Sequence, residues 1–230
     1  MIYPYNYGVL NTPYQSWIEF GLGSYYRYIL FLLLPIIAAI PMADMYAKDR
    51  QTGYLKSILS KGKMKEYFRG LFMSNFIVAA IVIATPLLVN VYLAFMTLPD
   101  IKPDPIVDLH HKDIMSTVLP ELYYQFPILH MMFYILIACL FAGMYASICL
   151  SVSLYVNNRF VILVSAFVCN MGLSLLFEFM NKYEWIPVNF LTEHAGQPYP
   201  SLVVMVAIFA VGMIVSTMLY TIGVKKRVMY

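Results

Sequence analysis

From Leu122 to Asn158 the chain reads LYYQFPILHMMFYILIACLFAGMYASICLSVSLYVNN, 37 residues without one Asp, Glu, Lys or Arg. About 20 apolar residues in a helix cross ~30 Å of hydrocarbon. Lipid offers no water to the backbone, so such a run must satisfy its own N–H and C=O groups as a helix. Four further uncharged runs accompany it: Tyr28–Ala43, Gly70–Pro99, Phe160–Phe177 and Ala195–Val224. The expected fold is all-α, a polytopic transmembrane helical bundle with spans near 25–46, 71–98, 126–156, 160–178 and 201–223. Pro35, Pro41 and Pro86 predict kinks in the first two. The short alternating segments of a strand barrel are not present.

Composition agrees. Of 230 residues, 61% are hydrophobic and 12% charged, against roughly 45–50% and 25% in soluble domains. The mean hydropathy is +0.72. These values exclude an ordinary cytosolic domain, a disordered tail and a nucleic-acid-binding module, and make the lipid bilayer the first partner. Cys139, Cys149 and Cys169 all lie in apolar runs, and an odd count there argues against a disulfide framework. Residues 1–18 hold Pro4, Asn6, Asn11 and Pro13 and no apolar core of a signal peptide.

Charge sets the expected orientation. The loop 47–70, the turn 157–159 and the tail 224–230 hold 11 of the 15 basic residues. The loops 99–125 and 178–200 hold Lys102, Lys112 and Lys182 against eight acids. The positive-inside rule makes the first set cytoplasmic, with the C-terminus inside and residues 1–24 an external segment. Tyr3, Tyr5, Tyr7, Tyr14 and Trp17 in that segment suit an aromatic belt. A chain lacking a preceding span would show the same external N-terminus.

Several segments qualify for work. Tyr54, Leu55, Ile58 and Leu59 form one apolar face of an expected helix over 50–61, with Lys56 and Lys61 elsewhere and Gly62 as its stop. From the residues alone this is either an interfacial helix on anionic lipid or a knob for a cytoplasmic partner. His110-His111 in the proline-rich loop 99–125 lack a third ligand at metal spacing and read as solvated. Trp185 to Leu191 is apolar but too short to span, which predicts a re-entrant or interfacial piece. Within spans, Asp44 reads as a solvated or Lys-paired carboxylate and His130 as a satisfied interfacial histidine. Asn75, Asn90 and Asn170 are expected to bond between helices or line a pathway. Ala138, Ala142, Gly143, Ala146 and Ser147 mark a close-packing stripe, either within the chain or between subunits. No P-loop, H-E-x-x-H, G-x-S-x-G or Cys-x-x-Cys occurs, and no span pairs two carboxylates, which points away from an enzyme.

The run from Leu34 through Pro35, Pro41 and Asp44, continuing through Lys48-Asp49-Arg50-Gln51-Thr52-Gly53-Tyr54-Leu55, resembles type-2 ABC transporter permeases, the membrane subunits of bacterial ABC exporters. The end of the third span, Ser151 to Phe160, is similar to that family's short cytoplasmic turn, here Asn157, Asn158 and Arg159. The resemblance covers residues 26–223. It implies a plasma-membrane exporter built from two permeases, this chain and a copy or homologue, and two ATP-binding subunits that carry Mg-ATP; this chain itself would hold no cofactor or metal. It implies an ATPase-coupling role for Asp49, Arg50, Thr52, Gly53, Tyr54, Leu55, Ile58 and Leu59, and six spans, one more than found. On this reading Leu55→Asp or Ile58→Asp uncouples transport. Sparse intramembrane charge favours an amphipathic or hydrophobic cargo, with a peptide or antimicrobial peptide first. The alternative is an ATPase-independent membrane scaffold or immunity protein.

Overall fold

The computed structural model describes residues 5–6, 9–10, 12–18, 25–60, 64–104, 117–193 and 201–228. Apart from a two-residue ladder, Tyr5–Asn6 against Val9–Leu10, the elements are helices. In chain order they are α1 (Pro13–Ser16), α2 (Tyr25–Ala39), α3 (Met45–Gln51), α4 (Tyr54–Ser60) and α5 (Met64–Thr97). There follow α6 (Pro120–Gln125), α7 (Pro127–Ser153), α8 (Arg159–Phe179), α9 (Pro187–Leu191) and α10 (Leu202–Val228).

Four of these, α5, α7, α8 and α10, are long and apolar enough to cross a membrane. They correspond to the expected spans 71–98, 126–156, 160–178 and 201–223. α5 starts seven residues earlier than expected because the buried stripe of the span continues through Leu71 to Phe68. The expected first span, 25–46, is interrupted. α2 has 15 residues, a rise of only ~22 Å. Ile40–Asp44 then form a turn, where Pro41 has no N–H for the helical ladder. Pro35 and Pro86 lie inside α2 and α5.

The chain divides into two compact units. One comprises residues 1–32, 84–138 and 174–205, the other residues 33–83, 139–173 and 206–230. Among the described residues the first carries Asp100, Asp104, Glu121, Glu178, Glu184 and Glu193 against Arg27, Lys102 and Lys182. The second carries Asp44, Asp49 and Glu66 against nine Lys and Arg. We call them the acidic and the basic unit.

α7 is apolar all round, the pattern of a helix buried on every side. Its apolar window is 72% buried, against 11–22% for α5, α8 and α10. The stripe Ala138, Ala142, Gly143, Ala146 and Ser147 is therefore internal packing and not a subunit interface. A Cβ on Gly143 would meet the Phe76 ring at 2.5 Å. In the basic unit Tyr46, Phe68, Leu71, Leu150, Leu154 and Tyr220 form a core cluster. In the acidic unit Tyr14, Trp17, Leu87, Tyr123, Met131, Tyr134 and Phe190 are fully buried.

Candidate functional site

The coupling segment lies in the basic unit as two helices rather than one. α3 ends on Thr52, whose N–H and hydroxyl both return to the Lys48 carbonyl, at 2.9 and 3.0 Å. Gly53 then takes φ +76°, a left-handed conformation that costs a residue with a Cβ roughly 1–2 kcal/mol. The expected helix over 50–61 breaks at this elbow, and α4 begins beyond it. Leu55 turns inward onto the Tyr46–Phe68–Tyr220 cluster. Leu55, expected beside Tyr54 on one apolar face, is half-buried against this cluster. Tyr54 is 57% exposed, and Lys56 and Ser57 are exposed beside it. The side chains of Ile58 and Leu59, Lys61 to Lys63, and His110-His111 lie outside the described residues.

The elbow is tied to the turn between α7 and α8. Asp44 is 1% exposed, and a buried carboxylate requires a countercharge. Its oxygens meet Arg159 Nε at 2.8 Å and Lys48 Nζ at 3.2 Å. It is Lys-paired, as one reading of the sequence held, but it is not solvated. Arg50 Nη1 donates to Asn157 Oδ1 at 3.3 Å. Asn158 Oδ1 accepts the Phe160 N–H at 3.0 Å, capping the start of α8. The Tyr67 hydroxyl donates to Asp49 Oδ2 at 2.6 Å, fastening α3 to α5. The structure thereby brings together Asp49, Arg50, Asn157 and Arg159, residues 107 or more positions apart across the loop and the turn, with Asp44 and Tyr67 as connectors that spacing did not reveal.

A second cluster occupies the acidic unit. His130, expected at an interface, is fully buried. Its Nδ1 lies 2.9 Å from Glu193 Oε1, and its Nε2 lies 2.9 Å from the Val118 carbonyl and 3.1 Å from Thr117 Oγ1. Trp17 Nε1–H donates to Glu193 Oε2. The Tyr134 hydroxyl bridges Thr117 Oγ1 and the Val118 N–H, both at 3.1 Å. Trp17, Thr117, Tyr134 and Glu193 are each at most 2% exposed. Nearby, burial raises the Tyr14 phenol, and its hydrogen bond to Asp100 Oδ1 at 2.7 Å raises it further, to about 12. The segment Trp185 to Leu191 folds as a 3₁₀ turn and α9, with Pro187, Val188, Phe190 and Leu191 buried.

The three asparagines part ways. Asn170 Oδ1 accepts from the Tyr145 hydroxyl at 2.8 Å, linking α8 to α7 as expected. Asn75 is 1% exposed, yet neither amide atom has a hydrogen-bond partner among the described residues. The interhelical hydrogen bond expected of it is not seen among those residues. Asn90 is half-buried on α5 without a hydrogen bond among the described residues. Among those residues, no three His, Cys, Asp or Glu side chains converge as a metal site.

The fold defines a multi-pass membrane protein. No family model matches the chain, and no curated protein or solved structure does either.

Proposed function

We propose that the chain is a permease subunit of an ATP-driven exporter in the bacterial plasma membrane. It acts with a second permease copy or homologue and two ATP-binding subunits, which hydrolyse Mg-ATP in trans. In this reading the loop 47–70, the turn 157–159 and the C-terminal tail are cytoplasmic, and α2 with the turn 40–44 makes a fifth span. The observation that carries the reading is the elbow at Thr52-Gly53, tied to the α7–α8 turn through Asp44–Arg159 and Arg50–Asn157 while Tyr54 and Lys56 stay exposed.

An ATPase can bias a permease only by contacting its two states differently. A subunit seated on Tyr54, Lys56 and Ser57 would load the elbow. The elbow would pass that load to α8 through Arg159 and to α5 through Tyr67 and Leu55. Few charged groups lie in the spans, which supports an amphipathic or hydrophobic cargo, a peptide foremost.

The test is purification of the tagged chain from its native host in mild detergent, with identification of what accompanies it. A stoichiometric partner carrying a P-loop is expected. The double variant Tyr54→Asp, Lys56→Glu should lose it while melting like the wild type, since both side chains point to solvent. If the chain comes down alone and ATP leaves it unchanged, the exporter reading fails and an ATPase-independent scaffold or immunity protein replaces it.

A further inference from the structure

In the basic unit, the start of α5 and the end of α10 run side by side. The Tyr220 hydroxyl donates to the Phe68 carbonyl at 2.8 Å, the Phe72 and Tyr220 rings lie 5.0 Å apart, and Val224 joins Met64 on the same core cluster. Around this junction Lys65, Arg69, Lys225 and Lys226 are all exposed. None has an ion-pair partner among the described residues. The acids of the unit do not compensate them. Asp44 is matched by Lys48 and Arg159, Asp49 accepts from Tyr67, and Glu66 alone stands among the four cations.

The same faces turn apolar within one or two turns. Met73 is 62% exposed and Ile77 54% on α5, and Ile222 is 55% exposed on α10. Unpaired cations directly above an exposed apolar strip match a ligand with an anionic head and hydrocarbon tails. An acidic soluble protein would complement the cations and leave the strip uncovered.

We infer that the junction of α5 and α10 binds an anionic phospholipid, its phosphate among Lys65, Arg69, Lys225 and Lys226 and its acyl chains along the Met73–Ile77 strip. The inference does not depend on the exporter reading, since it rests on the exposed cations and apolar strip of α5 and α10 and not on an ATPase contact at Tyr54 and Lys56. A Lys or Arg near an anionic membrane surface strengthens binding by about fivefold.

Native mass spectrometry of the full chain, purified in detergent and offered equal amounts of phosphatidylglycerol and phosphatidylcholine with matched chains, tests this. Preferential retention of phosphatidylglycerol is expected. The variant Lys65→Gln, Arg69→Gln, Lys225→Gln, Lys226→Gln should lose the preference. Lys102→Gln, Lys182→Gln in the acidic unit should keep it. Lys226→Gln alone should weaken retention by about fivefold, which preserves the test if the fourfold variant folds poorly. Equal retention of the two lipids by the wild type, an undiminished preference in the variants, or displacement by an equal concentration of inorganic phosphate would each overturn the assignment.

Discussion

Glu193 joins two segments of the acidic unit to α7, and its removal gives a sharp test of the buried network. The Val118 carbonyl can only accept, so the His130 Nε2 that lies 2.9 Å from it carries a proton. A second proton must then lie between Nδ1 and Glu193 Oε1, 2.9 Å apart. The pair is either imidazolium with carboxylate or imidazole with carboxylic acid. Glu193→Ala strands the Trp17 Nε1–H and the imidazole Nδ1 where every member is at most 2% exposed. An unsatisfied buried group costs roughly 1–3 kcal/mol, so two cost about 2–6 kcal/mol, a large part of the ~5–15 kcal/mol of a folded domain. Glu193→Gln differs. Its amide oxygen accepts from Trp17 and its N–H donates to Nδ1 of a neutral imidazole, so every partner is kept and the cost stays below ~1 kcal/mol. Thermal melts in detergent should drop by about 10 °C for the alanine variant and barely move for the glutamine variant. Trp17 emission should shift red in the former as its pocket admits water. Equal melting of Glu193→Ala and wild type, or equal losses in the two variants, would refute the network.

Further outcomes follow from other contacts. Gly143→Ala should destabilise by about 1–3 kcal/mol, because its Cβ meets the Phe76 ring at 2.5 Å. Gly172→Ala, with nothing within 4 Å, should be neutral or stabilise by up to ~1 kcal/mol; denaturant melts separate the two. A double-mutant cycle of Asp44→Asn and Arg159→Gln should show a coupling of about 1 kcal/mol, limited because the Arg159 side chain is 59% exposed. The Tyr14 phenol is raised from 10.0 to about 12 by burial and by Asp100. Between those values the folded chain keeps a proton that the unfolded chain has lost, so stability falls as pH rises through the window. Tyr14→Phe should flatten that part of the pH profile, and tyrosinate absorbance should report one fewer late-titrating phenol.

The four long helices were legible because uncharged runs of that length admit only one backbone solution in lipid. The charge segregation was legible too, and it follows the division into two units. Three features escaped. The break at Gly53 depends on a left-handed residue that a helical wheel over 50–61 cannot register. The His130–Glu193–Trp17 cluster joins residues 63 and 176 positions apart, separations that carry no local pattern. Glu193 had one readable sign, a carboxylate closing the apolar run Trp185 to Leu191. Asn75 resembled Asn170 in the sequence, and only packing distinguishes a paired amide from an unpaired one.

Gly212 and Gly223 stand 11 residues apart on α10, and added Cβ atoms there would strike Met144 and Leu154 respectively. Those two side chains are ten residues apart, near the end of α7 and just beyond it. The rises, ~16 and ~15 Å, nearly agree, so two knobs sit in two notches at once. Slipping α10 by a single turn would bring Ile208 and Leu219 under the knobs together. α10 is thus keyed against translation along its neighbour in that direction.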